Sequence, residues 1–358
     1  MPPRHPRILL LFAALVMALL LIPVPVITRQ GAALMDLAHA PLFGLVTLVA
    51  FFQLPPVLRS VRAAIAIGVT LTVASGIIEL AQELTGRASS WADLWANVLG
   101  VTAALCVALA RESTSARRRG VLTASAVAAL VVASVPGSIT YWDAWRQKRE
   151  LPMIASFEDR FELSRWRFQS ADGTLAREHV TAGDLSLRVD LHAGKYPGAL
   201  MIWTPYDWRG AVRKASGASP GSSTPAAALV FDVWLSEGPS LDVMIKILDL
   251  YHSYRDRNDR YELPTRVPAG THRVRIPLDE IANAPATRQM DLSQIRVLQF
   301  YVEWLDQPRT LFIDNIHLEG GPAENPPGQN QARPGRPARL SENPIGVARR
   351  VTITCYSR

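Results

Sequence analysis

The sequence predicts a polytopic α-helical membrane bundle of about five spans, followed by an all-β jelly-roll or sandwich domain. Long apolar runs are confined to the first 140 residues, and short alternating runs separated by turns follow them. A mean hydropathy of +0.11 with only 19% charged residues is also too apolar for an ordinary soluble enzyme. We therefore divide the chain into a membrane domain (1–140), a linker (141–154), a β domain (155–319) and a disordered tail (320–358).

The membrane domain contains five segments that are apolar enough to cross a bilayer, for which a helix needs roughly 20 residues. They are 8–28, 37–54, 63–83, 92–110 and 120–139. The first follows the basic start MPPRHPR but lacks a small-residue cleavage site. We interpret it as a retained helix and not as a signal peptide.

The arginines predict the orientation, because cytoplasmic loops accumulate Lys and Arg. With the N-terminus inside, most arginines beside the spans fall on the cytoplasmic side: Arg4, Arg7, Arg59, Arg62, Arg111, Arg117, Arg118 and Arg119. Only Arg29 and Arg87 fall in outer loops. We expect a multi-pass protein of the bacterial cytoplasmic membrane with its β domain outside. Topology thus explains the net charge of +7, and no nucleic-acid partner is expected.

Polar residues interrupt the outer ends of spans two to four. One face of span three and one face of span four carry them at helical spacing, and a histidine lies at similar depth on span two beside Asp36. Ionisable groups at such depth are costly and usually face a bundle interior or a water-filled cavity. The expected cluster consists of His39, Glu79, Gln82, Glu83, Arg87, Asp93 and Asn97.

The segments HAPLFGLVTLVAFF and IELAQELTGRASSWADLWANVLG resemble the VanZ-like membrane protein family over roughly residues 30–112. The family has a His on an early helix, Glu and Gln on a later one, then Arg, a Ser-containing loop, Asp, Asn and Gly. The matching residues are His39, Glu79, Gln82, Arg87, Asp93, Asn97 and Gly100. The family is named for a protein that gives low-level resistance to a glycopeptide antibiotic. Most relatives end after the helices, so the long C-terminal part is a departure from the family.

Two interpretations of this cluster stay open. In the structural one, Glu79 or Asp93 pairs with Arg87, and Asn97 hydrogen-bonds a neighbouring helix. In the catalytic one, Glu79, Asp93 and His39 bind or protonate a lipid-linked or cell-wall substrate. The sequence assigns no catalytic residue.

The C-terminal part consists of short β-rich runs, several of them alternating apolar and polar residues. The predicted strands are 229–236, 241–249, 271–278, 295–304 and 310–319, with opening strands within 156–168 and a mobile loop at 213–226. Short strands separated by turns are typical of an antiparallel sandwich or jelly roll.

The order of FED, FDVW, LDLYHSYRDRNDRYE and LFIDNIHL resembles galactose-binding-like jelly rolls over about 155–319, a fold group that includes carbohydrate-binding modules. The resemblance implies that exposed aromatic rings contact sugars. The candidates lie in WTPYDWRG and YHSYRDR: Trp203, Tyr206, Trp208, Tyr251, His252 and Tyr254. Each has a structural alternative, because aromatic residues at strand ends also pack in cores.

The resemblance also implies a possible structural calcium ion between the first and last strands, with Glu158 and Asp314 as oxygen ligands. We expect no other cofactor. Glycoside hydrolysis needs two facing carboxylates, and the spacing of the available acids singles out no pair: Glu158, Asp249, Asp259 and Glu303.

The sequence therefore predicts a membrane protein with an outer glycan-binding or interaction domain, in cell-envelope or exopolysaccharide processes, whose partner is a carbohydrate or envelope polymer. Two alternatives remain. One is a membrane enzyme that uses the polar cluster of the bundle, and the other is a structural partner of envelope proteins. Phosphate-binding loops, metal-ligand clusters and nucleophile elbows are absent from the sequence.

Overall fold

The structure, a computed structural model, describes residues 28–84, 91–216, 227–253, 256–320 and 352–355. The chain divides into two compact units, Met1–Trp145 and Arg146–Arg358. The first is helical, and the second is an antiparallel β-sandwich.

Four helices in the described residues are long and apolar enough to cross a membrane. They are α1 (Arg29–Gln53), α2 (Val61–Leu84), α3 (Trp91–Glu112) and α4 (Ala116–Glu150). They correspond to the four later predicted spans, whereas the predicted span 8–28 lies outside the described residues. Helix α1 begins before residue 37 because Thr28 caps it, accepting the backbone N–H of Gly31 at 2.9 Å. Helix α4 continues through most of the predicted linker 141–154.

Helices α1 and α3 approach closely at Gly100. A Cβ added there would collide with the backbone of Ala40, so a larger residue at this position would separate the two helices. Phe43, Ile78 and Val101 form an apolar cluster beside this contact and join α1, α2 and α3. Close approach through small residues is typical of helix pairs in membranes.

Helix α2 presents an apolar stripe away from the other helices. Its large residues recur every four positions, and more than half of each is exposed: Ile65, Val69, Val73 and Ile77. In a water-soluble bundle such a stripe would face the core. Exposed apolar side chains at this spacing are what a lipid-facing helix requires.

The second unit contains short strands and three short helices. The strands are β1 (Met153–Ala155), β2 (Trp166–Gln169), β3 (Ala171–Ala176), β4 (Ser186–Leu191), β5 (Gly194–Lys195), β6 (Gly198–Tyr206), β7 (Ala228–Leu235), β8 (Leu241–Asp249), β9 (Tyr261–Val267), β10 (Gly270–Pro277), β11 (Ile295–Tyr301), β12 (Trp304–Leu305), β13 (Arg309–Glu319) and β14 (Thr352–Cys355). The helices are α5 (Arg160–Leu163), α6 (Trp208–Ala215) and α7 (Leu278–Ala282).

Two antiparallel sheets form the sandwich. One has the order β14-β10-β7-β13-β4-β3, with β1 also pairing with β13. The other has the order β2-β6-β11-β8-β9, and β5 and β12 form a separate ladder. The inner faces of both sheets meet in one apolar core, to which Val233 and Ile313 contribute from the first sheet and Met201, Leu298 and Ile247 from the second.

Three predictions at the ends of this domain need correction. The segment 156–168 supplies only the start of β2, because Asp159 caps helix α5 by accepting the N–H of Phe161. The predicted loop 213–226 begins as the last residues of α6, and its remainder falls largely outside the described residues. Within the predicted disordered tail, Thr352–Cys355 forms an edge strand that pairs with β10.

Candidate functional site

Trp208 was predicted to be an exposed sugar-stacking ring, and the structure shows the opposite. Its side chain is 0% exposed and belongs to the sandwich core. Asp207 caps helix α6, and the helical spacing turns Trp208, Ala211 and Val212 to the interior. The Trp208 backbone N–H also donates to Leu292 O at 2.9 Å. The cap followed by apolar residues at helical spacing was the sequence signal for this helix.

Two further predicted aromatic contacts are buried. The Tyr206 hydroxyl donates to Gln147 Oε1 at 3.2 Å. His252 Nδ1 lies 2.6 Å from the backbone oxygen of Asp259, and because a carbonyl only accepts, this nitrogen carries a proton. Tyr251 is 63% exposed, as expected. Two predicted side chains lie outside the described residues: Trp203 and Tyr254.

Arg288 fastens the loop that carries Tyr251. Its guanidinium contacts both carboxylate oxygens of Asp249, at 2.8 and 2.5 Å, and Asp259 Oδ1 at 2.5 Å. Burial raises the pKa of Asp259, but hydrogen bonds from Arg288 and from the Ser253 N–H bring that pKa below its ordinary value. Asp249 and Asp259 therefore share one cation, and their oxygens face its guanidinium and not an open cleft.

Both predicted binding loops lie beside the segment that follows Arg288, because Trp208 N–H donates to Leu292 O and Leu250 N–H donates to Gln294 O. Of their described residues, only those of the first loop line a cleft there. A cleft of about 270 Å³ lies between the start of α6 and residues 289–293. Its polar lining residues are Asp207, Arg209, Arg213, Gln289, Asp291 and Ser293. Asp291 is held in place, because its N–H donates to Asp249 and its carboxylate accepts the Ser293 hydroxyl. The cleft thus mixes two cations with carboxylates that already have hydrogen-bond donors.

The outer face of the five-stranded sheet carries a row of side chains that is polar on four of its five strands, with Leu200 on β6 as the apolar member. The register pairs Arg167 with Leu200, Leu200 with Gln299, Gln299 with Lys246, and Lys246 with Glu262. Directly paired residues share one face of a sheet, and their strand neighbours Ala199, Phe300 and Ile245 lie in the core. The row therefore points away from the core. We call Arg167, Gln299, Lys246, Glu262 and the adjacent Tyr301 the polar sheet face.

One part of the polar sheet face is internally paired. The Tyr301 hydroxyl donates to Glu262 Oε1 at 2.6 Å, and Arg260 Nε donates to Glu262 Oε2 at 2.9 Å. Burial raises the pKa of Glu262, but these two donors bring it below its ordinary value. Burial and the bond to Glu262 raise the pKa of Tyr301. Glu262 is therefore an anion whose oxygens are already occupied.

The other part of the polar sheet face makes no hydrogen bond or ion pair within the described part of the chain, although Lys246 lies directly across from Glu262 and the charge of each group shifts the pKa of the other. Among the described residues, the Gln299 amide and the Arg167 guanidinium make no hydrogen bond or ion pair. Lys246 contacts only the Tyr301 ring, whose centroid lies 5.7 Å from Nζ. Burial, followed by the charge of Arg260, lowers the pKa of Lys246. Arg167 is exposed and Lys246 is half-buried, whereas Gln299 is only 7% exposed, so the two cations are the more accessible of these three donors.

Aromatic residues that were not among the predicted sugar contacts lie at the Tyr301 end of this face. The rings of Tyr196 and Tyr301 meet edge to face at 5.9 Å. Lys195 Nζ lies 4.9 Å from the Tyr196 ring, and Lys195 pairs with Trp304, which is 63% exposed. The predicted strand 295–304 ends at Tyr301, which frees Trp304 for this second ladder. Aromatic residues in the turn-rich segments GKYPG and EWLDQP were the available signal.

Glu158 and Asp314 do not fit a shared calcium site. Glu158 Oε1 accepts the Leu185 N–H at 3.0 Å, whereas Asp314 Oδ2 accepts the N–H groups of Thr181 and Ala182 at 2.7 and 3.0 Å. Calcium needs six to eight oxygen ligands, but these oxygens face N–H donors. No group of three or more His, Cys, Asp or Glu side chains is placed to hold a metal in the ranges that the structure describes. Glu158 and Asp314 instead hold the connection between β3 and β4 in place through these hydrogen bonds.

In the helical unit, part of the predicted polar cluster forms a chain across three helices. His39 Nδ1 on α1 lies 3.1 Å from Asn97 Oδ1 on α3, and Asn97 Nδ2 donates to Ser75 Oγ on α2 at 2.9 Å. All three side chains are buried, and so is Glu79, one turn from Ser75. Ser75 was not predicted. Hydrogen bonds between helices are what the structural interpretation of the cluster requires.

For the remaining members of the predicted cluster, the structure describes burial or helix position and not hydrogen-bond partners. Asp93 is half-buried in the first turn of α3, and the neighbouring Asp36 is exposed. Gln82 and Glu83 lie on α2, but their side chains are outside the described part of the chain, as is Arg87 altogether. The predicted pairing of Arg87 therefore stays a prediction.

Comparison with known proteins finds likenesses for the C-terminal part. An exo-β-agarase is 18% identical with a TM-score of 0.37, over 48% of this chain and 25% of its own. A family 11 carbohydrate-binding module from Clostridium thermocellum, in complex with a β-1,3-1,4-mixed-linked tetrasaccharide, is 14% identical with a TM-score of 0.35, over 48% and 95%. A family 30 module of a cellulosomal cellulase from Clostridium thermocellum is 15% identical with a TM-score of 0.32, over 45% and 93%.

The chain spans about a quarter of the length of the agarase structure that it matches. No protein-family model matches the chain, so the VanZ-like pattern stays a resemblance. No curated protein matches it either.

Proposed function

We propose that this is a membrane-anchored glycan-binding protein whose C-terminal unit holds a polysaccharide chain on the polar sheet face. The observation that carries the proposal is the row of donors on Arg167, Gln299 and Lys246, which make no hydrogen bond or ion pair within the described ranges of the chain. Sugars present dense hydroxyl groups, which such donors bind. The apolar faces of sugar rings pack on aromatic rings, and Tyr196 and Trp304 lie at one end of the face.

The dimensions of the row favour a chain over a single sugar. Arg167 and Lys246 are separated by three steps between neighbouring strands, which amounts to about 14 Å at ~4.8 Å per step. Each net hydrogen bond contributes about 0.5–1.5 kcal/mol, and one covered ring face adds about 1 kcal/mol. A few such contacts give dissociation constants in the range of about 1 mM to 1 μM.

Gln299→Leu is expected to weaken polysaccharide binding about fivefold to tenfold, because it removes a central hydrogen-bonding amide while conserving volume. Binding is measured by biolayer interferometry with the full-length protein in an uncharged detergent without a sugar headgroup. The immobilised panel contains neutral and acidic polysaccharides.

Thr174→Val is the matched control, because Thr174 is an exposed polar residue on a strand of the other sheet. We expect it to leave binding unchanged. The proposal fails if wild-type protein binds no polysaccharide of the panel, or if Gln299→Leu and Thr174→Val bind equally to wild type.

We further propose that the helical unit spans the cytoplasmic membrane and that the glycan-binding unit lies outside the cytoplasm. Exposed aromatic residues gather where α3 begins and α4 ends, as they do at membrane interfaces: Trp91, Trp95, Tyr141, Trp142 and Trp145. The opposite end carries Arg59, which pairs with Glu112 at 3.4 Å, and the arginines that follow α3. A basic end is typical of the cytoplasmic side.

Reporter fusions test this orientation. A reporter that is active only in the cytoplasm is expected to be silent after residue 320 and active after residue 114, in the connection between α3 and α4. The second fusion controls for expression and insertion. Activity after residue 320 would place the glycan-binding unit inside the cell.

A further inference from the structure

The charge of the polar sheet face indicates which class of glycan this face binds. This inference rests on the function proposed above. Glu262 is the acid of this face, and Arg260 and Tyr301 already satisfy its two oxygens. Arg257 adds a further cation at 3.9 Å from Glu262. Arg167 and Lys246 then remain as positive charges with no carboxylate within ion-pair distance in the part of the chain that the structure describes.

Lys246 is the most informative of these cations. It is half-buried, so its ammonium group has lost part of its hydration, and nearby Arg260 disfavours its charge further. The contact with the Tyr301 ring offsets only part of this cost, because a cation–π contact at an exposed site contributes about 0.5–1 kcal/mol. Glu262, directly across from Lys246, favours the charged ammonium, but its oxygens already accept hydrogen bonds from Arg260 and Tyr301. An anionic group bound beside Lys246 would supply the direct ion pair that Glu262 does not make.

The spacing of the cations identifies the kind of anion. The backbones of Arg167 and Lys246 lie about 14 Å apart across three strand steps. A chain that repeats its charged group can place one anion at each of these positions, whereas a single carboxylate or sulfate could contact both only if the two long side chains converged. The Gln299 amide lies between them and suits a neutral hydroxyl.

Other charges near this face do not alter the balance. Asp242, further along β8, is paired in register with Arg266, so an acid and a base face each other there. Lys195, at the Tyr196 end, adds another positive charge beside an aromatic ring. Two carboxylates lie at the aromatic end: the charge of Glu303 acts on Tyr301, and Asp306 accepts the Trp304 Nε1–H at 2.9 Å. The excess of positive charge is therefore confined to Arg167 and to the group of Lys246, Arg257 and Arg260 around Glu262.

We propose that the polar sheet face selects an acidic polysaccharide, with Lys246 and Arg167 binding carboxylate or sulfate groups on separate sugars of one chain. The neutral hydroxyls between them bind Gln299, and the rings of Tyr196 and Trp304 flank one end. Selection by charge also makes the affinity depend on ionic strength, because salt screens these partly exposed cations.

The test compares dextran with dextran sulfate, which share one backbone, and adds polygalacturonate as a carboxylated chain. We use the full-length protein in the same sugar-free, uncharged detergent. Wild type is expected to bind at least one acidic chain at least tenfold more tightly than dextran. Lys246→Met is expected to weaken that binding at least tenfold, which corresponds to about 1.4 kcal/mol.

Arg177→Met is the matched control, because Arg177 is an exposed cation outside this sheet. It is expected to keep wild-type affinity. Equal losses in Lys246→Met and Arg177→Met would mean that the acidic chain binds through overall charge, which overturns the proposal. Preference between dextran sulfate and polygalacturonate separates sulfate from carboxylate as the bound group.

The outcomes for the two proposals can be distinguished. Binding of neutral and acidic chains with equal affinity, lowered by Gln299→Leu but not by Lys246→Met, would keep the glycan-binding function and overturn selection for acidic chains. Binding of no polysaccharide would overturn both.

Discussion

Trp208→Ala is expected to lower the free energy of unfolding of the sandwich by about 3–5 kcal/mol, because it removes a large, completely buried side chain and leaves a cavity. Hydrogen–deuterium exchange of the β11 amides measures this within the full-length protein. Exchange through global opening should become about a hundredfold to several thousandfold faster, at about 1.4 kcal/mol per tenfold.

Trp304→Ala provides a matched control with the same change of residue type. Trp304 is 63% exposed, and substitutions at exposed positions usually change stability by less than about 0.5 kcal/mol. Exchange of the β11 amides should therefore remain close to wild type. If Trp208→Ala instead abolished glycan binding while the amides stayed protected, Trp208 would be a ligand contact and not a core residue.

Arg288→Met is expected to destabilise the sandwich by about 3–5 kcal/mol, because it leaves the carboxylate of Asp249 buried without its cation. The Asp249 side chain is 0% exposed, so water cannot replace the lost contact. The double variant Arg288→Met/Asp249→Asn should recover part of the loss, since it removes the stranded charge. Exchange of the β8 amides reports both effects.

The same contact predicts a pH dependence. The folded-state pKa of Asp259 lies below its unfolded value, so its stabilising contribution is complete above the unfolded pKa of about 3.9. That contribution is lost as the pH falls through the lower folded-state value. In Arg288→Met this acid-sensitive component should shrink. Arg209→Met, which removes an exposed arginine, should leave it intact; equal pH profiles for the two variants would contradict this role of Arg288.

The sequence predicted strands correctly where apolar and polar residues alternate between two turn-rich segments. The run at 241–249 matches β8 residue for residue, and 310–319 matches β13 to within one residue. Strand β6 was missed because its sequence, GALMIWTPY, lies next to a helix cap and alternates poorly. Periodicity is a local signal, and it cannot report which faces later become covered.

The candidate site was harder to predict than the strands, because its residues come together only in the folded sheet. Trp208 and Tyr206 belong to the residue types that bind sugars, but burial is set by the helix and strands around them, and sequence position alone did not give it. The polar sheet face joins Arg167, Gln299 and Lys246 from three separate strands. Those residues are unremarkable one at a time. Only strand order and register place them on one row.

The position of β13 constrains how the chain can fold as it is made. This strand lies between β7 and β4 and also pairs with β1, yet it is synthesised after all but one of the other described strands. Until residue 319 has left the ribosome, the β3–β4 and β7–β10 pairs have no strand to join them. Pairing between distant segments is slow and leaves strand edges open to aggregation. The unfinished domain therefore presents open edges on both halves of its larger sheet throughout most of its synthesis.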